Sequence, residues 1–121
     1  MSREQLIAAA RDLIEHTKAG TVPLVDDVMR VTGPKRHVVF FTVKVERPWQ
    51  DGNNKIITDS TKQYKNAKVL DWHYFGTHID QKKYFYCEFG CALRLHLTPD
   101  GRKFYTKLII DTLRKWHWLP Q

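Results

Sequence analysis

Every one of the fifteen Trp, Tyr and Phe residues of this chain lies beyond Val31. Large rings contribute most of the area that a small core buries. The packed centre therefore has to be built from residues 32–121, and the aromatic-free N-terminal stretch can only dock against it. The same boundary divides the charge. Residues 1–30 carry four basic and five acidic side chains, whereas residues 31–121 carry sixteen basic and eight acidic ones. A basic stretch interleaved with aromatic rings is the composition of a surface that meets polyanions: Lys and Arg neutralise phosphates, and ring faces stack on bases.

At 121 residues the chain is expected to be one domain, 1–121, with enough apolar surface to fold without disulfide staples. No stretch approaches the roughly 20 apolar residues of a membrane helix, so no membrane partner is expected. The start, Met-Ser-Arg-Glu, lacks an apolar signal core, and the expected location is intracellular, in cytoplasm or nucleus. Cys87 and Cys91 are then expected to be reduced, acting as small buried hydrophobes. The net charge of +7 favours nucleic acid or an acidic protein as partner. A homodimer is compatible with the composition, and no cofactor is implied.

Leu6, Ile7, Ala9, Ala10, Leu13 and Ile14 recur at three- and four-residue spacing, which predicts a helix over 3–18 capped by Ser2. Pro23 and the apolar Val25, Val28 and Met29 predict a second short helix over 23–31, ended by Gly33-Pro34. The β-branched and aromatic run from His37 to Val45 reads as a strand. Further strands are expected over 55–59, 69–75 and 83–97, the last bent near Gly90, with a turn at 51–54. Thr98-Pro99-Asp100 is a helix start. Tyr105, Leu108, Ile109, Thr112, Leu113 and Trp116 then share a face at period 3.6. The expected fold is α+β: an N-terminal helix packed on a curved antiparallel sheet of about four strands, with a C-terminal helix.

Two short segments resemble known DNA-binding families. Leu6-Ile7-Ala8-Ala9-Ala10-Arg11-Asp12-Leu13-Ile14 resembles the first helix of TetR-type regulators, and Asp27–Gly33 the helix before the turn of their helix-turn-helix. The resemblance spans residues 3–40 and implies that Pro34-Lys35-Arg36-His37-Val38 opens a recognition helix. Leu93–Phe104, through Leu97-Thr98-Pro99-Asp100-Gly101-Arg102, resembles the junction of wing strand and final helix in winged-helix regulators. Tyr86-Cys87 and Cys91-Ala92 with the distant His117 are similar to WRKY- and FLYWCH-type zinc ribbons, although Leu119 stands where their second histidine would. On a regular strand Cys87 and Cys91 lie about 13 Å apart, so a zinc site of Cys87, Cys91 and His117 requires a bulge at Gly90; the chain is read as metal-free.

The leading function is non-catalytic binding of nucleic acid, DNA or RNA. The candidate contacts are Lys35, Arg36, His37, Lys62, Lys65, Lys68, Lys82, Lys83, Arg102 and Lys103, with Tyr64 and Trp49 as exposed rings. A first alternative is a small interaction module of viral or phage type that docks an acidic protein through the same residues. A second is a cystatin-like or nuclear-transport-factor-like cone that binds a ligand or performs catalysis through Asp71, His73 and Tyr74. No phosphate loop, nucleophile elbow or paired-carboxylate motif supports an enzyme.

Overall fold

A computed structural model describes residues 2–5, 7–8 and 24–120. Residues 3–5 and 7–8 are helical. Ser2 Oγ accepts from the Gln5 N–H at 3.1 Å, and Gln5 Oε1 accepts from the Ser2 N–H at 2.7 Å, a reciprocal capping box. The rest of the expected 3–18 helix lies outside the described residues.

Helix α1 spans Leu24–Thr32 and buries Val25 and Met29, one turn apart on one face. Asp26 and Asp27 sit at its positive end and Arg30 at its negative end, complementing the helix dipole. It ends where the Gly33 N–H donates to the Met29 carbonyl at 2.9 Å. No recognition helix comes next: Val38–Phe41 is strand β1. Helix α2, Gln50–Thr61, then crosses to strand β2, Ala67–Leu70. Short helices α3, Trp72–Thr77, and α4, Gln81–Tyr84, lead through an irregular hairpin to the long helix α5, Pro99–Lys115.

The described strands form one two-stranded parallel sheet, with Val38 opposite Ala67 and Phe41 opposite Leu70. The expected four-stranded antiparallel sheet is therefore overturned, and each misread segment has a local cause. Residues 51–59 are helix because parallel neighbours require a crossover. Its turns are supported by an ion pair from Lys55 to Asp59 at 2.6 Å, four residues on; Ile56-Ile57-Thr58 alone suggested a strand. The strand expected over 69–75 stops at Leu70, because the Asp71 carboxylate accepts from the Tyr74 N–H and starts α3. The 83–97 segment does not bend but reverses. Phe85 pairs with Leu97 and Glu88 with Leu93 in antiparallel bridges, around a turn at 89–92 closed by the Ala92 N–H on the Phe89 carbonyl.

The sheet is apolar on both sides. Val38, Phe40 and Ala67 face Val25 and Met29 of α1. Val39, Phe41 and Leu70 face Trp72, Phe85 and α5. Trp72 stands at the centre of the second layer, edge-on to Tyr105 with ring centroids 4.6 Å apart. Burial in this layer raises the Tyr105 phenol above its ordinary range.

Beyond β1 the chain stays extended, and α2 supplies its hydrogen bonds. The Asn54 amide accepts from the Val43 N–H at 2.7 Å and donates to the Val43 carbonyl at 2.8 Å. Gln50 Oε1 accepts from the Val45 N–H at 2.8 Å. Lys44 is buried between them, its side chain 5% exposed. Its ammonium donates to Glu46 at 2.8 Å and to the Arg94 carbonyl at 2.5 Å, and lies 4.2 Å from the centre of the Phe85 ring. Burial acts to raise the Glu46 carboxyl. The hydrogen bond from Lys44, the backbone N–H groups of Glu46 and Arg94 and the Lys44 charge outweigh it and hold the group below its ordinary range.

Two outcomes are expected. A Cβ on Gly101 would lie 2.1 Å from the Tyr84 carbonyl oxygen, so Gly101→Ala must push α4 off α5; urea denaturation should show a loss of about 1–3 kcal/mol, as overpacking does. Because the native Glu46 value is depressed, its contribution is complete above about pH 4.3, the ordinary glutamate value, and is lost as pH falls through the lower native value. Glu46→Gln should therefore flatten the acid limb of a stability–pH curve and lower stability at neutral pH.

Candidate nucleic-acid interface

Several of the expected basic residues gather at the two ends of α5. At its N-terminal end, Thr98 accepts from the Gly101 N–H through its hydroxyl, and Pro99 occupies the first turn. The Thr98 hydroxyl donates to the Lys83 carbonyl at 2.7 Å, and the Thr98 N–H donates to the Tyr84 carbonyl at 3.1 Å. This docking brings Lys83 beside Lys103 and Lys107, on a shallow cleft of about 270 Å³ also lined by Tyr84, Asp100 and Phe104. Lys103 and Lys107 also border a broader open groove along α5, about 670 Å³, with Arg102, Ile110, Asp111 and Arg114. Lys107 pairs with Asp111 at 2.5 Å, which tempers the positive charge midway along the groove. Lys82 lies exposed on α4.

At the other end, His37 stacks flat on Trp118, with centroids 4.2 Å apart and planes 10° from parallel. Lys68 lies 5.4 Å from the Trp116 ring centre and 5.8 Å from that of Trp118, within reach of a cation–π attraction. Trp118 reaches this position because His117 adopts a left-handed backbone, φ +61, and the Trp118 N–H closes back on the Leu113 carbonyl at 2.8 Å, a Schellman-type ending. Lys35 and Arg36 are exposed in the turn just before His37. That turn is tied down by the Asn66 amide, which donates to the Gly33 and Arg36 carbonyls. A helix of 17 residues separates the two ends by about 25 Å.

Other expected site residues stand apart. Lys62 lies 3.8 Å from Asp59, whose carboxyl is held below its ordinary range by the hydrogen bond and charge of Lys55. Lys65 is exposed in the turn before β2. Tyr64 is not an exposed stacking ring: it is half-buried, packs against the α1 layer and donates its hydroxyl to Asp26, a bond that raises its phenol pKa. Trp49 is 52% exposed and borders a separate cleft with Phe41, Trp72 and the buried Lys44. Asp71, His73 and Tyr74 are each taken up by local contacts. Asp71 accepts from the Thr42 hydroxyl at 2.7 Å, the His73 N–H donates to that same hydroxyl, and Tyr74 packs against Phe75 and His78.

The cysteines also depart from expectation. Cys87 and Cys91 are exposed and joined by a disulfide, so they are neither reduced nor small core hydrophobes. Their sulfurs are spent on each other, and His117 belongs to the ending of α5. Among the described residues no cluster of His, Cys, Asp or Glu is arranged to hold a metal ion, and no helix is long and apolar enough to cross a membrane.

Two features of the site were missed in the sequence. Lys107 was legible as the residue one turn beyond Lys103. The meeting of Lys68 and His37 with Trp116 and Trp118 had no local signal, since it depends on how α5 crosses the sheet. No family model, curated protein or solved structure matches this chain. Tyr64→Phe is expected to lower stability through loss of the Asp26 bond while leaving polyanion affinity within about twofold, since the ring packs against α1 and does not line the lysine cleft; thermal melts and fluorescence anisotropy measure the two.

Proposed function

We propose that the chain binds nucleic acid without chemistry, through the lysines gathered where α4 meets α5. The observation that carries this reading is the convergence of Lys83 with Lys103 and Lys107 on one cleft, with Arg102 and Lys103 continuing it along the helix groove. Separate cations fixed on a rigid helix face match the spaced charges of a phosphate backbone, and each neutralised phosphate releases counterions. Tyr84 and Phe104 at the cleft pack against each other with centroids 5.3 Å apart, so ring stacking on bases is a minor term there. Contact with the backbone positions a protein without reading sequence, and the expected binding is tolerant of sequence. Lys68, His37, Lys35 and Arg36 form a second, more distant point of contact. This reading goes with a location in cytoplasm or nucleus.

The test is fluorescence anisotropy with labelled duplex and single strands of about 20 nucleotides at rising salt. Binding should weaken steeply as salt increases. A triple variant Lys83→Gln/Lys103→Gln/Lys107→Gln should lose at least about tenfold in affinity and lower the salt slope by about 2–3. The equal charge change Lys55→Gln/Lys62→Gln/Lys65→Gln should lose less than about threefold. Equal losses would remove the cleft from the site, and absence of binding at low salt would remove the function. An acidic protein that stays bound after nuclease treatment would establish the docking module instead.

A further inference from the structure

The tip of the 85–97 hairpin carries chemistry that backbone binding does not use. The Cys87–Cys91 disulfide closes a ring over a sequence separation of four, with Cα atoms 4.4 Å apart. Both residues are exposed, and Phe89 between them is 79% exposed, which places the disulfide at the surface of the hairpin tip. Phe89, Gly90 and Cys91 follow one another in the left-handed region, at φ +51, +62 and +69. Only the glycine adopts it without penalty, so opening the ring gives Phe89 and Cys91 freedom to relax. The two sulfurs are not equivalent. A guanidinium nitrogen of Arg94 lies 3.2 Å from Cys91 Sγ, and a neighbouring cation favours thiolate over thiol. Arg94 is itself fixed: its N–H donates to Glu46, its carbonyl accepts from Lys44, and its guanidinium reaches the Phe85 carbonyl at 3.4 Å.

We infer that Cys87–Cys91 is a thiol–disulfide exchange site for low-molecular-weight thiols of the glutathione class, with Cys91 as the sulfur stabilised as thiolate. An external thiolate attacks Cys87 Sγ, a bond forms between the two, the Cys87–Cys91 bond breaks, and its electron pair leaves on Cys91 beside Arg94. A second external thiolate attacks the outer sulfur of the mixed disulfide and releases Cys87, which takes a proton from water. One protein disulfide and two thiols become one protein dithiol and one external disulfide, a two-electron exchange that runs in reverse when the Cys91 thiolate attacks a mixed disulfide on Cys87. Elsewhere near the turn Glu46 pairs with Lys44, and the Glu88 carboxylate accepts from the His96 ring, 2.8 Å away. Arg94 is the cation that distinguishes the two sulfurs.

The full chain, equilibrated with graded ratios of reduced to oxidised glutathione and trapped by alkylation, should pass from disulfide to dithiol within that range by mass spectrometry. Cys91→Ser should accumulate a mixed disulfide on Cys87. In Cys87→Ser, the alkylation of Cys91 should titrate about one pH unit or more below that of Cys87 in Cys91→Ser. Arg94→Gln should erase that difference, and Arg94→Lys should keep most of it. A pair that stays oxidised at every ratio, or two cysteines with the same pH profile unmoved by Arg94→Gln, would overturn the inference. Neither result bears on nucleic-acid binding, which is measured separately.

Discussion

A pair of parallel strands has to be covered on both faces, because the residues of each strand alternate between them and neither side can be left to water. Val38 and Phe40 point one way, Val39 and Phe41 the other, and all four are at least half-buried. Two layers of helix are therefore obligatory for a sheet only two strands wide. Helix α1 closes one face, while α5, with Trp72 and Phe85 beneath it, closes the other. The remaining elements serve this arrangement. Helix α2 makes the crossover, and α3, α4 and the hairpin carry the chain back so that α5 can lie across the sheet.

That layout decides which positive charges remain available. Lys44 is spent inside, where it holds the hairpin to the extended segment after β1 through Glu46 and the Arg94 carbonyl. Lys55 and Lys62 share Asp59. Much of the charge left for an outside partner is carried by α5, where Asp111 shares Lys107, and by the two places it touches, α4 at one end and the sheet edge at the other. The proposed cleft is thus a by-product of packing: the close approach of Gly101 to the Tyr84 carbonyl is what sets Lys83 beside Lys103.

The legible parts of the fold were those with local signals. The capping box at Ser2 and Gln5, the stop at Gly33, and the Thr98-Pro99 start of α5 each rest on residues a few positions apart. Short β-branched runs were misread, since Ile56-Ile57-Thr58 suits a strand or a turn of helix equally well. Asp71 and Asp80 hold the N-terminal N–H groups of α3 and α4, and that capping role was visible only once the helices were. For the site, the identities of Lys83, Lys103 and Arg102 were readable from composition. Their shared cleft was not, because it depends on the docking of α4 against α5. The left-handed turn that joins Cys87 to Cys91 needed φ > 0 at Phe89 and Cys91, a conformation their residue types do not announce.

The amide of Asn54 has a consequence beyond satisfying Val43. A strand margin with open N–H and C=O groups is a template on which another chain can add. Thr42 faces β2, donating to the Leu70 carbonyl, so Val43 and Val45 turn their backbone groups to the outer margin. There Asn54 and Gln50 mimic the missing neighbour, residue by residue. The segment after β1 is met on that side by side chains instead of by a third strand, which guards it against pairing with a second molecule.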